Sequence, residues 1–190
     1  MSDALKQKRK ATYEDILKLP DNVVGEIING ELFVSPRPSG PNVYAASSLC
    51  EELMGPFSKG KSGGPGGWWI LVEPEIEFKK DTQHFVPDLA GWRKDRMATL
   101  PENHIFRVAP DCVCEVLSPS NMRADKTEKA PQYASFGVKH LWFINPRDKT
   151  LDVLRLETWK WVLVFSYTGA DKVSAEPFQE WEFDLGGLWV

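Results

Sequence analysis

The stretch "DCVCEVLSPS", residues 111–120, gives the first indication of both the fold and the function. Its apolar letters from Cys112 to Leu117 form a short β-prone run, which is typical of a buried strand. Glu115 stands in the middle of that run. Because an ionised carboxylate is rarely buried without a cation or hydrogen-bond donors to compensate it, Glu115 is the first candidate functional residue.

Composition sets broad limits on the class of protein. The 190 residues are enough for one domain with its own core, and we expect a polar tail over residues 1–11 followed by a single domain over residues 12–190. The net charge of −4 gives no electrostatic sign of a nucleic-acid-binding protein, although a local basic patch is compatible with that total. Three cysteines provide neither a disulfide framework nor a zinc site. With no apolar leader and no run of about 20 apolar residues, the sequence predicts a cytoplasmic protein without a membrane span.

Periodicity predicts the order of the elements. "ATYEDILKLP" predicts a helix that ends before Pro20, and "NVYAASSLCEELMGPF" a second, amphipathic helix. Between them, "VVGEIINGELFVSP" predicts a β-hairpin whose two arms meet at a type I′ turn formed by Asn29 and Gly30.

The rest of the chain alternates strands with one helix. "WWILVEPEIEF" predicts one strand with a solvated face, "HFVPDLAGW" a second strand, and the opening stretch a third. "RADKTEKAPQYASFG" predicts a helix that ends near Gly137, and "HLWFINP", "TLDVLRL" and "WKWVLVFS" predict three further strands. This order predicts an α/β fold, a mixed sheet flanked by helices with one parallel strand pair between about residues 112 and 145.

Two carboxylates in this pattern are candidates for a metal site. Asp88 follows Pro87, and it can converge with Glu115 at one end of the sheet if their strands are neighbours. Two such carboxylates repel each other unless a cation lies between them, and Mg²⁺ prefers oxygen ligands of this kind. Asp125 and Lys129 are four residues apart, hence on one face of a helix, and a lysine there could offset charge and polarise a water.

Structural roles account for the same residues without any chemistry. An aspartate after proline can solvate a loop edge, and a buried glutamate can simply pair with one Lys or Arg. An Asp–Lys pair four residues apart is often a surface ion pair, which contributes only about 0.3–0.5 kcal/mol. The residue types alone leave both interpretations open.

A resemblance to a known family bears on this choice. "GEIINGEL", "VPDLAGW" and "APDCVCEVLSPSNMRADKTEKAPQYASFGVKHLWFINP" together resemble the bacterial family of "putative restriction endonucleases" in the PD-(D/E)XK nuclease superfamily. The likeness runs from about Gly25 to Trp189. It implies a restriction-endonuclease-like αβββαβ core with an N-terminal hairpin and a C-terminal meander. It also implies a Mg²⁺-dependent phosphodiesterase, with Mn²⁺ as a substitute, that acts on nucleic acid, with DNA as the expected substrate.

The resemblance also assigns roles to individual residues. Asp88 matches the PD aspartate, and Glu115 matches the glutamate of the E-x-K element. Leu117 stands where the lysine of that element is expected, and Lys129 matches a lysine that this family carries on the following helix. Glu26 matches an acidic position near the N-terminus that joins the site.

The mechanism that follows is a hypothesis about a metal and a water. Asp88, Glu115 and the backbone carbonyl of Val116 are expected to hold Mg²⁺, which lowers the pKa of a bound water. Lys129 is expected to orient or deprotonate that water.

Two residues depart from the family pattern. Asn42 stands where the family usually has a histidine, just before its first long helix. Pro131 lies two residues after Lys129, and a proline inside a helix costs about 3 kcal/mol. We therefore expect the helix either to begin late, near residues 127–128, or to be kinked there.

Two other interpretations concern binding rather than catalysis. The chain could be a non-catalytic scaffold on a nuclease fold, which the net negative charge favours. Its tryptophan-rich end could also be an interaction surface, and "WKWVLVF" at a sheet edge would pair two copies into a homodimer. The tryptophans concerned are Trp159, Trp161, Trp181 and Trp189.

A cluster of three cations follows the strand that begins after Asp88. Arg93, Lys94 and Arg96 are either phosphate contacts near the site or part of a solvated loop, and the loop is the favoured interpretation.

Overall fold

Strands make up most of the regular structure in the computed structural model, which describes residues 9–190. Residues 1–8 of the predicted tail lie outside the described residues. The strands are β1 (Val23–Ile28), β2 (Glu31–Pro36), β3 (Trp68–Val72), β4 (Glu75–Lys79), β5 (Gln83–Phe85), β6 (Leu89–Arg93), β7 (Ile105–Phe106), β8 (Cys112–Val116), β9 (His140–Asn145), β10 (Thr150–Glu157), β11 (Lys160–Thr168), β12 (Lys172–Val173) and β13 (Phe183–Asp184).

Helices are few and mostly short. The α-helices are α1 (Tyr13–Ile16), α2 (Gly40–Leu53), α3 (Met122–Ala124) and α4 (Ala130–Ser135). Two π-helical turns, Met54–Ser58 and Asp125–Lys129, and two 3₁₀ turns, Lys61–Gly63 and Leu185–Leu188, complete the set. None of the helices within residues 9–190 combines the length and the apolar character needed to cross a membrane.

Two sheets form the frame of the molecule. The larger has six strands in the order β11-β10-β9-β8-β6-β3, and the smaller has five in the order β2-β1-β5-β4-β7. In the larger sheet β8 and β9 are parallel and the other pairs are antiparallel. The predicted mixed α/β class, the parallel pair and the C-terminal meander are thus confirmed.

The N-terminal hairpin also forms as predicted. β1 and β2 are antiparallel and are joined at Asn29 and Gly30, whose φ angles are 54° and 79°. Both turn residues therefore adopt the left-handed conformation that a type I′ turn requires.

Two predicted strands are each divided in the structure, which corrects the prediction. "WWILVEPEIEF" breaks at Glu73 and Pro74 into β3 of the larger sheet and β4 of the smaller sheet, and Glu73 has a φ of 46°. "HFVPDLAGW" breaks in the same way at Val86 and Pro87 into β5 and β6. Proline has no N–H to donate to a ladder, so each proline ends one strand where the chain passes between the sheets.

The helix that carries Lys129 begins earlier than expected. It begins with α3 at Met122, continues through the π turn Asp125–Lys129, and ends with α4. In a regular α-helix the ring of Pro131 would clash with the carbonyl of the preceding turn. The wider π turn immediately before the proline accommodates it, so the irregularity expected there is a π turn.

Apolar side chains fill both faces of the larger sheet. Cys112 and Cys114 contribute to the core under α2, whereas Val113 and Leu117 contribute to a second core with α4 and the smaller sheet. Since side chains alternate along a strand, Glu115 shares the face of Val113 and Leu117 and lies between the sheet and the helix.

Candidate active site

The predicted site residues meet in one pocket between the two sheets. The pocket has a volume of about 330 Å³, and Asp88, Glu115 and Lys129 all line it. Glu26 and Asp125 line it as well. Asp125 and Lys129 share one π turn, and the other three residues come from separate parts of the chain, so only the folded protein brings the set together.

Asp88 lies at the point where the chain enters β6. The pairing of Leu89 with Cys114 makes β6 and β8 neighbours, as expected, and the Val116 N–H donates to Asp88 Oδ2 at 2.7 Å. Burial, and then the negative charge of Glu115, raise the pKa of Asp88 to about 7. Its Oδ1 forms no hydrogen bond with the described residues.

Glu115 is 1% exposed, and both of its hydrogen bonds use a single oxygen. Lys129 Nζ lies 2.8 Å from Glu115 Oε1, and the Tyr133 hydroxyl donates to the same atom at 2.6 Å. Burial raises the pKa of Glu115 to about 8 despite the neighbouring ammonium group. Oε2 is left without a hydrogen bond among the described residues.

Lys129 is the cation at the centre of the cluster and is 2% exposed. Its Nζ lies 2.8 Å from Glu115 Oε1, 3.0 Å from Glu26 Oε1 and 3.4 Å from Asp125 Oδ1. Burial alone would lower its pKa, but the charges of Glu115 and Glu26 raise the pKa well above its usual value. The lysine is therefore a persistent ammonium ion, which can orient a water or stabilise negative charge but is not a ready proton acceptor.

Glu26 and Asp125 complete the cluster around the lysine. Glu26 Oε1 also accepts the Val86 N–H at 2.8 Å, which fixes β1 against the segment before Asp88. Burial raises the pKa of Asp125 to about 6, and its Oδ2 is buried without a hydrogen-bond partner in the described part of the chain. Three carboxyl groups thus contact one ammonium group, and Asp88 lines the same pocket.

The comparisons with known proteins identify the family and the fold. The sequence model of the Uma2 family, described as "Putative restriction endonuclease", matches residues 12–186. The chain belongs to the Uma2 family. Among solved structures, it is similar to "a putative nuclease belonging to DUF820" from Anabaena variabilis, with a TM-score of 0.71 and 22% identity over 93% of this chain and 96% of that one. No curated protein sequence matches.

Two further residues of this Uma2 chain belong to the site, and sequence analysis gave neither of them a role. Tyr133 is fully buried and bonds to Glu115. Tyr133 lies four residues after Lys129, and this spacing, which places two side chains on one face of a helix, was the sequence signal for its role. Asn42, at the position of the family's histidine, donates from Nδ2 to the carbonyls of Val116 at 3.3 Å and Leu117 at 3.1 Å.

The oxygens left free in the pocket suit a hard divalent cation. Within residues 9–190, no three His, Cys, Asp or Glu side chains form a metal centre by themselves. Mg²⁺, however, usually takes one or two protein carboxylates and keeps several waters. Asp88 Oδ1, Glu115 Oε2 and the Val116 carbonyl provide such a set, although that carbonyl already accepts hydrogen bonds from Asn42 and, at 3.5 Å, Asn121. The two carboxylate oxygens therefore fit the ion, and the Val116 carbonyl would join them by giving up one of these hydrogen bonds.

The three cations after Asp88 do not belong to this site of the Uma2 fold. Arg93 is at the opposite end of β6 from Asp88, about 16 Å away along an extended strand. Arg93 pairs with Asp95, and Arg96 pairs with Asp111. Lys94 donates to the Ser58 carbonyl, and none of the three cations lines the pocket.

Removing the Tyr133 hydroxyl tests how strongly the cluster depends on it. Tyr133→Phe is expected to lower the free energy of unfolding by about 1.5–3 kcal/mol, because a buried carboxyl group loses one of its two donors. Urea unfolding measures the change. Tyr167→Phe is the matched control, since that hydroxyl makes an exposed bond of 3.2 Å to Ser174. Equal losses in the two variants would contradict a special role for Tyr133.

Proposed function

We propose that this Uma2 protein is a metal-dependent endonuclease that hydrolyses phosphodiester bonds in nucleic acid, with DNA as its substrate. The observation that carries the proposal is the convergence of Asp88, Glu115 and Lys129 in one pocket, from two adjacent strands and a helix. These are the residue types that metal-assisted phosphodiester hydrolysis requires. The family description and the nuclease named in the structural comparison support the same reaction class.

Asp88, Glu115 and the Val116 carbonyl would hold Mg²⁺ or Mn²⁺. When bound, the ion supplies Lewis acidity toward a phosphate oxygen and a water of lowered pKa. Without the ion, burial raises the pKa values of both carboxyl groups, and the negative charge of Glu115 adds to the rise at Asp88. A bound cation would therefore replace protons at these carboxyl groups, so metal binding is expected to strengthen as the pH rises through neutrality.

Lys129 contributes a fixed positive charge. Its contacts with Glu115 and Glu26 hold Nζ in place, so little reorganisation is needed when negative charge builds up on the phosphate. In this proposal Lys129 orients the attacking water and stabilises the transition state, and it does not act as the general base.

The pocket lining offers further donors for the phosphate backbone. Beside Arg37, these are the hydroxyl and amide side chains of Ser35, Ser39, Ser118, Ser120 and Asn121. Such groups are common phosphate contacts in protein–DNA complexes. With so few cations, binding is expected to depend only weakly on salt, which is consistent with the net charge of −4.

Cleavage assays test the proposal directly. The purified protein is expected to nick or cut DNA in Mg²⁺ or Mn²⁺ and to lose that activity in EDTA. Asp88→Ala is expected to abolish cleavage, because one of the two metal carboxylates is gone. Supercoiled plasmid and single-stranded DNA are suitable substrates.

Asp95→Ala is the control, since Asp95 is an exposed carboxylate paired with Arg93 beyond the far end of β6. It should cleave as the wild type does. Equal cleavage by the wild type and the Asp88→Ala protein would show that the activity arises elsewhere or from a contaminant.

A further inference from the structure

The two edges of the six-stranded sheet differ in how their backbone is covered. At the β3 edge the Ile70 N–H donates to Ser58 Oγ at 3.0 Å, and Trp68 and Ile70 are buried. At the β11 edge, between Lys160 and Tyr167, no side chain or loop of the described residues bonds to the strand backbone on the side away from β10. The first such bonds occur at Thr168, with Asp171.

Exposed apolar side chains are concentrated on the same strand. Leu163 is 56% exposed and Phe165 is 52% exposed, and Val162 and Val164 beside them are exposed as well. Trp159, in the turn before β11, is 70% exposed. Five of the fourteen large exposed apolar residues in the described chain thus lie within seven consecutive positions.

β11 has few of the features that protect a sheet edge from pairing. It contains no proline and no acidic residue, and its one charged residue is Lys160 at its start. A bulge at Val164, where β10 passes from Val153 to Leu154, is the only irregularity within its pairing with β10. The uncovered, mostly apolar edge from Lys160 to Tyr167 is a template for another strand.

We propose that two copies of this chain associate through β11, the two strands pairing antiparallel about a two-fold axis to form one continuous twelve-stranded sheet. A second copy fits this edge because an antiparallel strand is complementary to itself. The central residues Val162–Phe165 then meet the same apolar residues of the other copy. The only charge, on Lys160, lies opposite the uncharged far end of the partner's strand, so no like charges face each other.

This proposal keeps the homodimer predicted at "WKWVLVF" and limits the part that the tryptophans have in it. Of the four tryptophans near the C-terminus, only Trp159 is largely exposed. Trp161 donates to the Ala130 carbonyl at 2.8 Å and Trp189 to the Gly169 carbonyl at 2.7 Å, and Trp181 packs against the core. Three of these rings therefore support the fold, and the backbone and aliphatic residues of β11 form the interface.

Charge substitutions at Leu163 test the interface. Leu163 is one residue from the centre of β11, so it lies near the two-fold axis in any central register. Light scattering or sedimentation should give the wild type a mass of twice 21.5 kDa. Leu163→Lys and Leu163→Glu should each be monomeric, because like charges meet at the axis, and an equimolar mixture of the two should regain the dimer mass.

The mixture distinguishes a specific interface from a folding defect. A misfolded variant would not form a dimer when it is mixed with the variant of opposite charge. Leu17→Lys is the control, because Leu17 is 60% exposed on a different part of the surface and should leave the dimer intact. A monomeric wild type would overturn the proposal. So would a dimer that persists in both Leu163 variants, or a mixture that stays monomeric.

Discussion

Lys129→Met is expected to lower both the stability of the protein and its rate of DNA cleavage. Methionine fills a similar volume but leaves Glu115, Glu26 and Asp125 in a buried pocket without their shared cation. Breaking a buried ion pair from one side typically costs 3–5 kcal/mol, so a loss of about that size is expected in urea unfolding.

The effect on catalysis should be separate from the effect on stability. Loss of one fixed donor to a developing negative charge lowers turnover by about 10²–10³-fold. Turnover should be measured below the unfolding transition, so that the folded fraction is the same in both proteins. Lys126→Met is the matched control in the same π turn, where the exposed Lys126 makes only a cation–π contact with Phe143. A variant that is less stable but cleaves at the normal rate would reduce Lys129 to a structural role.

Asp88→Asn is expected to raise the free energy of unfolding near pH 8, in contrast to Lys129→Met, while it abolishes cleavage. The pKa of Asp88 is about 7 in the folded protein, against an ordinary value of 3.8. Between those values the folded state holds a proton that the unfolded state has released, so the free energy of unfolding falls as the pH rises through this window. At pH 8 the full cost of ionising Asp88 is present, on the order of 2–4 kcal/mol. Asparagine cannot ionise, and its carbonyl can still accept the Val116 N–H.

Unfolding of the two proteins from pH 4 to pH 8.5 in EDTA checks this. The curves should coincide near pH 4, and the variant should become the more stable protein as the pH rises. Asp95→Asn should show no such gain, because its partner Arg93 lowers the pKa of Asp95. A variant that is less stable than the wild type at every pH would mean that Asp88 is held by favourable contacts and carries no electrostatic strain.

The residues of the site were largely predictable because each breaks a local rule. Glu115 interrupts an apolar strand, Asp88 follows a proline at a strand start, and Asp125 and Lys129 share a helix face. Local patterns of that kind survive in a single sequence. These residues meet in one pocket because β6 and β8 are neighbours in the sheet. The strand pattern alone did not show that these two strands pair.

Contacts between distant segments were not predictable. Nothing in the sequence near Asn42 indicates that its amide reaches the carbonyls of Val116 and Leu117. The division of two strands at Pro74 and Pro87 was also missed, because apolar alternation continues through both prolines and alternation alone does not show which sheet a strand joins. Periodicity reports which face is buried, whereas the identity of the neighbouring strand depends on the whole fold.

The passage of the chain between the sheets at these two prolines has a consequence for motion. Glu26 belongs to the smaller sheet and Glu115 to the larger, and Lys129 contacts both. Sliding of one sheet against the other would lengthen one of these contacts, and the stiff prolines oppose such sliding at the covalent crossings. Relative motion of the two sheets is therefore expected to depend on the charge of the pocket. A cation or proton that weakens the contact of Lys129 with Glu26 or Glu115 also weakens a link between the sheets.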